Sequence, residues 1–112
     1  MDLNIVDTSY GRDPLSARLT QTAHAQIPHP GMPARHTILQ VRILNTALDK
    51  NSHASVSVLN HAAMTWTELL SLPPSEWRSA VPNPTGSSAE PQAAMEELAA
   101  SLFARAERIL GY

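Results

Sequence analysis

The segment Thr37-Ile38-Leu39-Gln40-Val41-Arg42-Ile43-Leu44 decides how this chain folds, because it can be read in two ways. As a strand it sends Leu39, Val41 and Ile43 to one face and Gln40 and Arg42 to the other, and its β-branched residues suit a pleated surface. As a helix it offers Leu39, Ile43 and Ala47, which recur every four residues. The neighbouring residues favour the strand. Ser55-Val56-Ser57-Val58 alternates still more cleanly, and Asp49-Lys50-Asn51-Ser52 between the two runs is good turn chemistry. The preferred reading is an antiparallel hairpin with strands near 36–46 and 53–60, and whether 36–46 is strand or helix separates the two fold classes considered.

Towards the C-terminus, Thr65-Trp66-Thr67-Glu68 has the Thr-x-x-Glu spacing of a capping box, in which hydroxyl and carboxylate each satisfy a free backbone donor. The spacing predicts a helix carrying Leu69, Leu70 and Leu72 that stops at Pro73-Pro74, with a second short helix through Ser75–Val81. Trp66 and Trp77 would flank that corner. Residues 91–110 give the clearest pattern in the chain. Met95, Leu98, Ala99, Leu102, Phe103, Ala106, Ile109 and Leu110 recur in steps of three and four, with Glu96, Glu97, Arg105, Glu107 and Arg108 between them. Pro91 suits the first turn of that helix, and Gly111 stands where a terminating glycine belongs.

Towards the N-terminus, Ile27-Pro28-His29-Pro30-Gly31-Met32-Pro33 reads as a loop, since each proline lacks a donor and constrains the residue before it. Leu3, Ile5 and Val6 suggest a short edge strand. Asp13-Pro14 looks like an N-cap and first turn, followed by Leu15, Leu19 and Ala23 at helical spacing, so a helix is expected to about Gln26. The expected fold is therefore α+β, a small antiparallel hairpin or sheet packed against two or three helices, with an all-α bundle as the alternative. The expected organisation is a core domain over 1–81 with a proline-rich loop at 27–34, a linker at 82–91, and an amphipathic helix over 92–112.

Composition narrows the function classes. A length of 112 residues suits one domain, and there is no cysteine, which removes disulfides, thiolate chemistry and cysteine-based zinc sites. The 43% hydrophobic content is rich in alanine and only 4% of residues are aromatic, so apolar burial is modest and added burial against a second copy is expected. The net charge is −2 and the eight basic residues are scattered, which argues against duplex nucleic acid and anionic membranes. The acidic start Met1-Asp2 lacks a signal-peptide core and no run has the length of a membrane span, so a cytoplasmic location is expected.

Catalytic and metal motifs are not evident. His24, His29, His36, His53 and His61 follow no ligand spacing, no serine lies in a GxSxG or SxxK context, Glu96 and Glu97 are adjacent on a helix, and the glycines are isolated from one another. No catalytic, cofactor-binding or metal residue is assigned, and no cofactor is expected. The function expected is a non-catalytic protein-interaction module, a regulator, adaptor or assembly subunit. It would dock another protein or form a homodimer through an apolar helix face, with Leu98, Leu102, Phe103, Ile109, Trp66 and Trp77 as contact candidates. Two alternatives stand beside it: a single-stranded nucleic-acid binder using Arg35, Arg42 and Trp66, and a small enzyme or metal protein.

Overall fold

A computed structural model describes residues 4–13, 18–29, 32–84 and 89–111. Five strands form one antiparallel sheet in sequence order: β1 (Asn4–Asp13), β2 (Arg18–His29), β3 (Met32–Asn45), β4 (His53–Asn60) and β5 (Thr65–Leu72). A single long helix, α1 (Ala89–Leu110), completes the fold, and short 3₁₀ turns occupy Asp49–Asn51 and Pro74–Glu76. β3 has 14 residues, which at a strand rise of roughly 3.3 Å accounts for the long axis of the molecule. That axis measures 47 Å against 25 and 22 Å for the other two.

Alternation, interrupted at a few register shifts, sorts the strands into two faces. Leu19, Ala23, Ala25 and Ile27 of β2, Leu39, Val41 and Ile43 of β3, Ala54 and Val56 of β4, and Leu72 of β5 are all buried on one face. There they meet Met95, Ala99, Leu102, Phe103 and Ala106 of α1 in a common core. Buried Trp77 and Val81 close one end of it, and the Trp77 indole Nε1 donates to the Leu72 carbonyl at 3.3 Å. The helix ends as the sequence predicts: Gly111 takes a left-handed φ of 77°, and its N–H donates to the Glu107 and Arg108 carbonyls.

The expected two or three helices are corrected to one. The 14–26 helix is instead β2, where small apolar and polar residues alternate from Leu19 to Ile27; Asp13 ends β1, and Pro14 and Leu15 lie outside the described residues. The helix expected to start at Thr65 is the strand β5. Asn60, not Thr65, organises this turn: its Oδ1 accepts from the N–H groups of Ala62 and Ala63 at 3.1 and 3.2 Å. Met64 closes the turn in the left-handed region with φ 54°. The short helix expected over 75–81 is reduced to the 3₁₀ turn Pro74–Glu76. The all-α alternative fails with these, whereas the hairpin expected at 36–46 and 53–60 is the observed β3–β4 pair.

The proline-rich loop is also shorter than expected, because Ile27–His29 belong to β2 and Met32 and Pro33 to β3. Pro28 pairs with His36 near the end of β2. Pro33 lies where β3 extends beyond β4, whose pairing begins only at Leu39.

A polar plug holds the end of the sheet. Arg78 is stacked over the Trp77 ring at 4.8 Å. Its Nη1 donates to Asn45 Oδ1 at 2.6 Å and to the Val81 carbonyl at 3.1 Å; its Nη2 donates to the Thr46 carbonyl and Ser52 Oγ, both at 3.3 Å. Asn45 is fully buried, and its amide nitrogen in turn donates to the Pro82 carbonyl at 3.0 Å. These bonds tie the segment after β5 to the end of β3 and satisfy polar groups that burial would otherwise penalise.

Candidate functional site

With α1 covering one face, the other face of the sheet is open, and alternation decides what it displays. Register places Thr20, Thr22, His24 and Gln26 of β2 beside Ile38, Gln40, Arg42 and Leu44 of β3. His53, Ser55 and Ser57 of β4 follow, then Ser71, Glu68 and Trp66 of β5. A mostly polar face of this kind is what an antiparallel sheet covered on one side only presents to water. Trp66 is the large exception.

Trp66 lies opposite Leu59 across the β4–β5 pair and is 41% exposed. Its indole reaches over the two intervening strands to the His24 ring on β2, with centroids 5.9 Å apart and planes tilted by 40°. His24 has polar neighbours on two sides. The Gln40 amide nitrogen lies 3.0 Å from His24 Nε2, and Asp7 Oδ2 on β1 lies 3.7 Å from Nδ1. With the amide donating to Nε2, the ring proton sits on Nδ1 and faces the Asp7 carboxylate. Gln40 thus orients the imidazole that the indole meets. Met64, in the turn that leads into β5, is 74% exposed.

The described contacts of His24 include no hydroxyl, and the clefts on this face lie elsewhere, around Arg18 and Leu44. The described histidines do not converge on a common point, and His53 and His61 flank opposite ends of β4. The side chain of His29 lies outside the described residues.

On the helix side, Tyr10 of β1 links sheet to helix. Its hydroxyl donates to Glu96 Oε1 at 2.8 Å and receives the Gln21 amide at 2.8 Å. Burial, followed by the neighbouring Glu96 carboxylate, raises the phenol well above the ordinary tyrosine range. Gln21 is buried, and its Oε1 has no partner.

The six contact candidates separate clearly. Leu102 and Phe103 are fully buried against the sheet, and Trp77 is buried in the same core, so in this fold none of the three is presented at the surface. Leu98 is half-buried at the rim of the core. Ile109 and Trp66 are exposed, but on opposite sides of the molecule. Arg42 shares the open face with Trp66, whereas the side chain of Arg35 lies outside the described residues. Sequence reasoning missed His24 as a neighbour of Trp66, and Asp7 and Gln40 as neighbours of His24. The even-numbered polar residues of β2 carried the signal, but it becomes readable only once the β2–β3 register is known. Among the described residues, no helix is long and apolar enough to cross a membrane. No protein-family model, curated protein or solved structure matches this chain.

Proposed function

We propose that this chain is a non-catalytic protein-interaction module of the cytoplasm, a regulator, adaptor or assembly subunit, that docks another protein or a second copy of itself through the Trp66 region. The exposed indole of Trp66 carries the reading. One of only two tryptophans is 41% exposed while the other is buried, and the exposed one packs beside the His24 ring. Tryptophan is the residue type most enriched at interface hot spots. Exposed Met64, in the turn before β5, is a flexible apolar side chain of the kind adaptable surfaces use. The apolar face of α1 does not serve this role in the present fold, because the sheet of the same molecule covers it.

The test uses Trp66→Ala with Met64→Ser, both at exposed positions. Sedimentation velocity across a concentration series reports self-association, and a photo-reactive side chain at exposed position 68, on the same face as Trp66, traps a foreign partner in cells. Docking predicts that an oligomer or a specific adduct forms with the native chain and is lost with the variant, at an unchanged urea midpoint. A monomer at every concentration, with no adduct dependent on Trp66, overturns it.

A second reading rests on Arg42 and Trp66 sharing the open face, which is the pairing a single-strand nucleic-acid surface would use. It predicts oligonucleotide affinity that falls steeply with salt and with Arg42→Gln. Absence of binding at low salt removes it.

A further inference from the structure

We propose that the open face carries a separate ligand site, at the end of the sheet away from Trp66, that binds an amphipathic anion: a carboxylate or phosphate head on a short aliphatic tail. The six residues from His53 to Leu59 separate the two places by roughly 20 Å at the usual strand rise. The site follows from register. Leu44 lies between Thr20 and His53 on the neighbouring strands, and Arg42 lies between Thr22 and Ser55. Arg18 opens β2 on the same face, two residues before Thr20. Together Arg18, Thr20, Thr22, Arg42 and His53 line a cleft of about 210 Å³ with Leu44 at its base. No carboxylate lines it among the described residues, and the nearby Asp49 is engaged by Arg78 at 3.0 Å.

A second cleft of about 460 Å³ shares Arg18 and Leu44 with the first and continues over Ala47 and Leu48. Leu48 is 55% exposed, although its backbone is firmly held. Its N–H donates to Thr46 Oγ1 at 3.1 Å, and its carbonyl accepts from Thr46 Oγ1 at 2.7 Å and Ser52 Oγ at 3.1 Å. The turn therefore holds an apolar side chain in water at the border of a two-arginine, two-threonine cleft. Guanidinium forks and hydroxyls match an anionic head, while Leu44, Ala47 and Leu48 match a tail that either head alone would leave without contact. Neither an inorganic anion nor a neutral alcohol satisfies both halves.

The experiment follows amide shifts of the isotope-labelled full chain with four probes: octanoate, octyl phosphate, octanol and inorganic phosphate. The proposal expects saturable shifts confined to residues 18–22, 42–48 and 53 for octanoate or octyl phosphate, with a dissociation constant on the order of 1 mM for ligands of this size. The tighter of the two identifies the head group. Octanol and inorganic phosphate should each bind at least about tenfold more weakly. Arg18→Gln with Arg42→Gln should weaken octanoate about tenfold or more, and Leu48→Ser should weaken octanoate and leave inorganic phosphate unchanged. All three side chains are exposed, so preserved amide dispersion and urea midpoint are expected. The proposal is overturned by an absence of localised shifts at 10-fold above about 1 mM, by binding that ignores the arginine substitutions, or by octanol or inorganic phosphate matching the amphipathic probes.

Discussion

Removing the Arg78 side chain should be among the most damaging single changes outside the apolar core, and its cost can be worked from the contacts. Arg78→Ala leaves the fully buried Asn45 Oδ1 without its 2.6 Å donor, which costs about 1–3 kcal/mol. The bonds to the Thr46 and Val81 carbonyls contribute about 0.5–1.5 kcal/mol each, and stacking on Trp77 about 0.5–1 kcal/mol. Of the other two bonds, that to Ser52 Oγ adds about 0.5–1.5 kcal/mol, and that to Asp49 is an ion pair whose carboxylate is largely in water and contributes at most about 1 kcal/mol. Because these groups act together the sum is not additive, and a loss of about 3–5 kcal/mol is expected for Arg78→Ala against about 1 kcal/mol or less for Asp49→Ala. For a domain of this size that corresponds to a fall in Tm of roughly 12–20 °C. Arg78→Lys should recover less than half of it, since an ammonium cannot serve Asn45, Thr46 and Val81 from one planar fork. Urea unfolding and calorimetry on the four proteins decide the matter. If Arg78→Ala costs no more than Asp49→Ala, the plug is only a surface ion pair and the reasoning fails.

Three further outcomes follow from the same structure. Tyr10 is held protonated in the fold, so the unfolded chain releases the phenol proton first; stability is whole below the ordinary tyrosine value of about 10 and declines as pH rises above it, and Tyr10→Phe should flatten that decline in urea titrations at alkaline pH. Leu102→Ser with Phe103→Ser should abolish cooperative unfolding, and Phe103→Ala alone should cost about 3–5 kcal/mol, whereas Ile109→Ser should stay within about 0.5 kcal/mol by the same urea assay. Met64→Gly relieves a left-handed non-glycine residue at a site that buries little, and should raise stability by up to about 1 kcal/mol while weakening any docking at Trp66; a drop in the urea midpoint would refute the first part.

The parts of the fold legible in the sequence were those where period and punctuation agree. The β3–β4 hairpin alternates on both sides of a polar turn, and α1 has a wide apolar stripe that ends at Gly111. β2 was illegible for a specific reason: its inward residues are mainly alanine and glutamine, too small or too polar to stand out, while Leu19 and Ala23 also fit a helical spacing. β5 was hidden by a bulge. Register slips between the Val56–Leu70 and Ser57–Glu68 pairs, leaving Leu69 as an extra residue, so Leu69, Leu70 and Leu72 do not alternate and imitate a helix behind Thr65. The candidate site suffered most, since Asp7, His24, Gln40 and Trp66 come from four different strands and only the full register brings them together. Arg78 escaped notice because nothing local marks an arginine whose acceptors lie about thirty residues earlier.

The sequential strand order has a consequence for how the chain is born. Each strand pairs with the one made just before it, so the sheet can assemble as it leaves the ribosome, but the cover for its apolar side is made only after all five strands. At translation rates of roughly 5–20 residues per second, the 22 residues of the closing helix take about 1–4 s to appear. For that interval a nascent sheet lined with leucine, isoleucine and valine has no lid, and a ribosome stalled before Ala89 would release a chain primed to aggregate.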